Sequence, residues 1–144
     1  MTASPQPHLR ILLVSADLLG MSQFAGLATR LPATVETLAS PAGQPRGEAF
    51  DLLVLDLAIP RPAATLVAEA RTLLESHQNA TGPSARLLAY GPHVARERLE
   101  EARRAGADLV VSRGQIFGDL PGVVASLWPD RPTASFPAIS GGPA

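Results

Sequence analysis

Short apolar runs alternate with amphipathic stretches along this chain. Residues 10–14 (RILLV) form a run of buried-strand length, too short for a buried helix. Met21, Phe24, Ala25, Ala28 and Leu31 then recur at helical spacing, which predicts a helix over 18–31 with Asp17 as its N-cap. Residues 33–39 (ATVETLA) alternate and carry β-branched side chains, the pattern of a second strand. Residues 40–48 hold two prolines and two glycines and read as a loop with at most one helical turn. Residues 50–55 (FDLLVL) are the clearest strand, closed by Asp56.

Beyond Pro60 and Pro62, Leu66, Val67, Ala70, Leu73 and Leu74 make one apolar helical stripe. Residues 79–84 read as a loop, and 85–90 (ARLLAY) as a fourth strand stopped by Gly91 and Pro92. Residues 94–105 form an amphipathic helix. Ala95, Leu99 and Ala102 line its inner face, and Arg96, Glu97, Arg98, Glu100, Arg103 and Arg104 its charged face. Gly106 stands where a C-cap glycine is expected. Residues 108–112 (DLVVS) are the fifth strand, and Asp119 precedes a last helix striped by Leu120, Val123, Val124 and Leu127.

Strands joined through helices run parallel, with right-handed crossovers. Near-continuous apolar strands belong to a sheet covered on both faces. The expected fold is therefore α/β, a doubly wound five-stranded parallel sheet with an abbreviated second helix. Such folds place chemistry outside the carboxyl ends of their strands. That rule selects Ser15, Ala16 and Asp17 after the first strand, Asp56 after the third, Tyr90, Gly91 and His93 after the fourth, and Arg113 after the fifth.

Composition narrows the field. The chain has 144 residues, enough for one core, and a net charge of −1, so no basic field points to nucleic acid. Absence of cysteine removes disulfides, thiolate metal sites and cysteine nucleophiles, and fits a cytoplasmic location. No signal-peptide core and no membrane-length apolar run is evident. Every strong base is arginine, a bias that a GC-rich genome produces without functional cause. Residues 1–8 and the Pro/Gly/Ser-rich 129–144 read as disordered flanks of a domain at 9–128.

Taken singly, the rim residues have plain structural readings. Asp17 is an N-cap, Arg113 an ion-pair partner for Asp56, and His93 a solvated residue beside a turn. Their spacing, however, resembles the receiver domains of bacterial response regulators across residues 9–128. Asp56-Leu57-Ala58-Ile59-Pro60 matches that family's Asp-x-x-x-Pro, whose aspartate accepts a phosphoryl group. Gly106-Ala107 followed by Arg113 matches its Gly-Ala, strand and lysine. The resemblance implies the strand order 2-1-3-4-5 of the CheY-like fold. It also implies partner binding through the helix before the fifth strand, that strand and the last helix.

The departures bear on function. The acid pair that binds Mg²⁺ in the family reads Ser15 and Ala16 here, leaving Asp17 and Asp56 as the metal-ligand candidates. The lysine is Arg113 and the proline after it Gly114. The small hydroxyl after the fourth strand is missing from Ala89, Tyr90 and Gly91, and Val110 stands at the aromatic switch position. Phosphoryl transfer rests on positioning and charge neutralisation, so these losses point to a pseudo-receiver. Such a module needs no cofactor and contacts a protein partner in trans, with no nucleic acid and no membrane involved. One alternative keeps Asp56 as phospho-acceptor, with Mg²⁺ on Asp17 and Asp56 and Arg113 on the phosphate. Another is a small-molecule binder on the same fold. It has neither a G-x-G-x-x-G nor a P-loop, and the His of an Asp-x-His-x-x-Gly cobalamin motif between Asp17 and Gly20 is missing.

Overall fold

A computed structural model describes residues 8–78 and 85–128. The expected disordered flanks and the loop at 79–84 lie outside these residues, apart from His8. The described chain runs β1 (Leu9–Val14), α1 (Leu18–Ala28), β2 (Ala33–Leu38), β3 (Leu52–Asp56), α2 (Ala63–Ser76), β4 (Arg86–Gly91), α3 (Arg96–Arg104), β5 (Leu109–Ser112), α4 (Arg113–Gly118) and α5 (Leu120–Ser126). All five strands are parallel, in the order β2-β1-β3-β4-β5. The doubly wound sheet and its strand order agree with the sequence reading.

Alternation within the strands splits the core between two faces. Leu12, Val14, Leu53, Leu55, Leu87 and Ala89 pack under Leu66, Val67 and Ala70 of α2 and Ala102 of α3. Ile11, Leu13, Leu52, Val54, Leu88 and Tyr90 face Phe24 of α1, Ile116 of α4 and Leu120 and Val124 of α5. Every residue of β3 is buried, as befits the central strand.

The β2–β3 connection must cross β1, because β2 and β3 flank that strand. It does so without a helix. The Glu36 carboxylate instead accepts the backbone N–H groups of Arg46 and Gly47 and holds the segment in place. Phe50 then bridges to Gln78 just before β3 begins.

Several expectations are corrected. The first helix ends at Ala28 rather than 31, and the third begins at Arg96 rather than 94, leaving Val94 75% exposed. Helix α4 has no counterpart in the hydrophobic periodicity, because six residues are too few to show a stripe. Its start is nonetheless a capping box. Ser112 Oγ accepts from Gln115 N, and the Gln115 side chain accepts from Ser112 N. Gly106 takes φ 111°, the left-handed conformation expected of a C-cap glycine.

Candidate functional site

The carboxyl ends of β1 and β3 lie side by side, with Val14 opposite Leu55, so the residues that follow them meet at one rim. Asp56 is 1% exposed and Ser15 is fully buried. A buried carboxylate needs donors on its oxygens, and here both are supplied. Ser15 Oγ donates to Asp56 Oδ2 at 2.8 Å, and Ala58 N donates to Oδ1 at 2.9 Å. Ser15 Oγ also accepts Asp17 N at 3.1 Å, which ties the turn after β1 to the same acid.

Arg113 does not pair with Asp56. Its Nη2 lies 3.2 Å from Asp17 Oδ2, in a pair about two-fifths exposed. That pairing diverts Asp17 from its expected cap bond, for its side chain caps no α1 amide. Gly20 makes room for the pair. A Cβ at that position would lie 2.8 Å from Asp17 Oδ2 and 3.2 Å from Arg113 Nη2. The Arg113 guanidinium also sits 4.8 Å over the Phe117 ring, and Phe117 meets Tyr90 edge-on at 5.8 Å. Tyr90 is fully buried, and its hydroxyl lacks a hydrogen-bond partner of good geometry among the described residues. Burial, then the Asp56 charge, raise its phenol well above the ordinary range, with Ser15 and Arg113 opposing in part.

Ala16, Asp17, Asp56, Ala58 and Ile59 line a cleft of about 180 Å³ between these groups. Among the described residues no three His, Asp or Glu side chains gather as metal ligands. The two carboxylates at the cleft are already engaged by Arg113 and by Ser15 with Ala58. Asp17 and Asp56 are the two carboxylates that would hold a Mg²⁺ at this cleft, and binding it would require Asp17 to give up its pairing with Arg113.

His93 is exposed in the turn after β4 and belongs elsewhere. With Arg96, Leu99, Glu100, Arg103 and Gln115 it lines a separate cleft of about 240 Å³ on the α3–β5–α4 face. Gly91, the last residue of β4, packs beneath Leu57 and Leu99.

One residue that supports the rim belongs to the charged face of the 94–105 helix. Arg98 of α3 reaches across to the β3–α2 loop and donates to Leu57 O, Ile59 O and Arg61 O. Those carbonyls belong to the segment that carries Asp56 into α2. Nothing in the local pattern distinguishes Arg98 from Arg96 or Arg104, because its acceptors are about forty residues away in sequence.

The order 2-1-3-4-5, with helices on both faces, is the CheY-like receiver fold. Solved structures of this fold superpose over most of the chain. The receiver domain of the TMAO respiratory system response regulator TorR matches at TM-score 0.64 and 21% identity, covering 84% of this chain and 96% of that domain. The chemotaxis response regulator CheY4 of Vibrio cholerae matches at 0.62 and 14%, covering 84% and 99%. A putative pilus assembly-related protein of Burkholderia pseudomallei matches at 0.61 and 16%, covering 88% and 94%. No protein-family profile and no curated protein sequence matches the chain.

Proposed function

We propose that this protein is a pseudo-receiver, a signalling module that acts by protein–protein contact and does not depend on Mg²⁺-assisted phosphorylation. The receiver fold supports the signalling part of this reading. The closed Asp56 supports the rest. A phospho-acceptor carboxylate has to be reachable by the phosphoryl donor and to share a metal with neighbouring acids, and Asp56 is only 1% exposed. Asp56 has one oxygen held by Ser15 Oγ and the other by Ala58 N. Asp17, the remaining acid, is engaged by Arg113. The partner is a protein acting in trans in the cytoplasm, and its docking surface is the one built from α3, β5 and the last helix, α5.

Amide NMR of the whole chain, titrated with Mg²⁺ and beryllofluoride, tests the reading. Wild type and Asp56→Asn should respond alike, with no saturable change at residues 15–17, 56–59 or 113. Saturable shifts there in wild type that vanish in Asp56→Asn would overturn it and make Asp56 a working phospho-acceptor.

A further inference from the structure

The crossovers from β1 to β2, β3 to β4 and β4 to β5 each carry a helix, whereas the one from β2 to β3 is a strip of irregular backbone. A strip is thinner than a helix, and it leaves a groove of about 570 Å³ against the outer side of α2. The clefts beside Asp56 and beside His93 are less than half that size. Pro41, Ala42 and Gly43 form one wall of the groove, and Ala68, Thr72 and Ser76 line the other. His77 closes the end toward the start of β3, where its carbonyl accepts from Phe50 N.

The hydroxyl protons of the α2 wall are spent within the helix. Thr72 Oγ1 donates to Ala68 O at 3.1 Å and Ser76 Oγ to Thr72 O at 3.0 Å. The charge of Glu69 is paired with Arg61 at 2.7 Å. The groove therefore asks for no charged ligand and suits an uncharged segment of small residues, prolines and a few apolar side chains.

Residues 132–144 (PTASFPAISGGPA) have that composition. None of them is charged, and Phe136 and Ile139 are their large apolar side chains. In the extended helix that prolines favour, those two residues stand roughly 9 Å apart. The α2 wall from Ala68 to His77 is roughly 13 Å long, which accommodates both.

The last described residues lie within reach of this groove. Leu127 O accepts from Arg86 Nε at 3.2 Å, Arg86 N donates to Asp51 O at 3.0 Å, and the neighbouring Phe50 N donates to His77 O at 2.6 Å. That path sets the end of α5 within about 20 Å of His77. Trp128 is 5% exposed, so the point of departure is anchored. Residues 129–135 span up to about 23 Å when extended, enough to bring Phe136 to the His77 end. A tether this short gives an effective concentration in the range of about 1 mM, at which a weak contact suffices.

We infer that residues 132–144 of this chain lie in the groove between residues 41–44 and α2, with Phe136 toward His77 and Ile139 toward Thr72. They fill space that a crossover helix would otherwise take. This inference is independent of how Asp56 is read, since none of its groups lies at the rim.

The chain has no cysteine, so Ser140→Cys carries a single nitroxide label. Amide NMR of the whole labelled chain should show paramagnetic broadening at residues 42–44 and 68–77. Adding Phe136→Ser and Ile139→Ser should reduce it by about threefold or more, because the apolar contact is lost. Without the label, the same two substitutions should shift those amides and leave residues 15–17 and 56–59 unmoved. Broadening that ignores the two substitutions, or that centres on Leu18, Leu19 and Val94, would overturn the proposal. So would broadening that vanishes on dilution, because a second copy's segment would then fill the groove.

Discussion

Asp56 and Glu69 are carboxylates only thirteen residues apart, yet the fold treats them in opposite ways. Asp56 is buried, and each of its oxygens receives a hydrogen bond from a different part of the chain. Glu69 sits in a pair about one-third exposed, with one oxygen bound and the other without a partner. Full burial leaves a charge no water to fall back on, so the chain has to surround it with donors. Glu69 is met less completely: its pair with Arg61 is partly exposed, but Oε1 is itself buried and takes no hydrogen bond among the described residues.

The largest effect should come from the strap over the closed acid. Arg98→Ala removes a charged donor from three loop carbonyls, Leu57 O, Ile59 O and Arg61 O. Urea unfolding should show a loss of about 3 kcal/mol. A loss below about 0.5 kcal/mol would show that water replaces the guanidinium without cost and that the loop is not held by it.

The direct contrast between the acids is smaller. Ser15→Ala strands Asp56 Oδ2 in the core and should cost about 1–3 kcal/mol. Glu69→Gln should change stability by no more than about 0.5 kcal/mol, since its pair with Arg61 is partly exposed and the amide keeps an oxygen to accept from the guanidinium. Equal costs for the two variants would break the distinction between closed and open acid.

The third effect is silent at neutral pH. Tyr90 is the sole tyrosine, so phenolate absorbance reports it alone. Its folded pKa is raised, whereas an unfolded tyrosine ionises near pH 10. The stabilisation is therefore fully present below about pH 10 and is lost as pH rises beyond it. Tyr90 should ionise together with alkaline unfolding. Ionisation near pH 10 in a protein still folded by circular dichroism would show that the hydroxyl reaches solvent.

Much of the fold was legible because strand burial writes itself as uninterrupted apolar runs. LLVLD can only be a central strand, and the stripe from Leu66 to Leu74 only a helix packed on it. The shortened β2–β3 connection was equally plain from its prolines and glycines. The short helix α4 escaped periodicity, although Ser112 and Gln115 at capping-box spacing mark its start. At the rim, the positions of Asp17, Asp56 and Arg113 followed from topology, but not the pairing. Which acid Arg113 reaches depends on the space left at Gly20 and on Ser15 already occupying Asp56. Arg98 and Glu69 were hidden because their roles arise between distant elements, and locally each looks like an ordinary surface charge.

The helix-free crossing also bears on solubility. Among the described residues, strand β2 forms one margin of the sheet and pairs with β1 alone. A six-residue edge of this kind invites a second chain to add a strand. Pro32 stands just before it and Pro41 shortly after it, and Glu36 places a charge mid-strand, half of whose business is to hold residues 46 and 47. Prolines and charges at a sheet margin disfavour strand addition, and losing Glu36 would free the crossing segment and remove the charge at the same time.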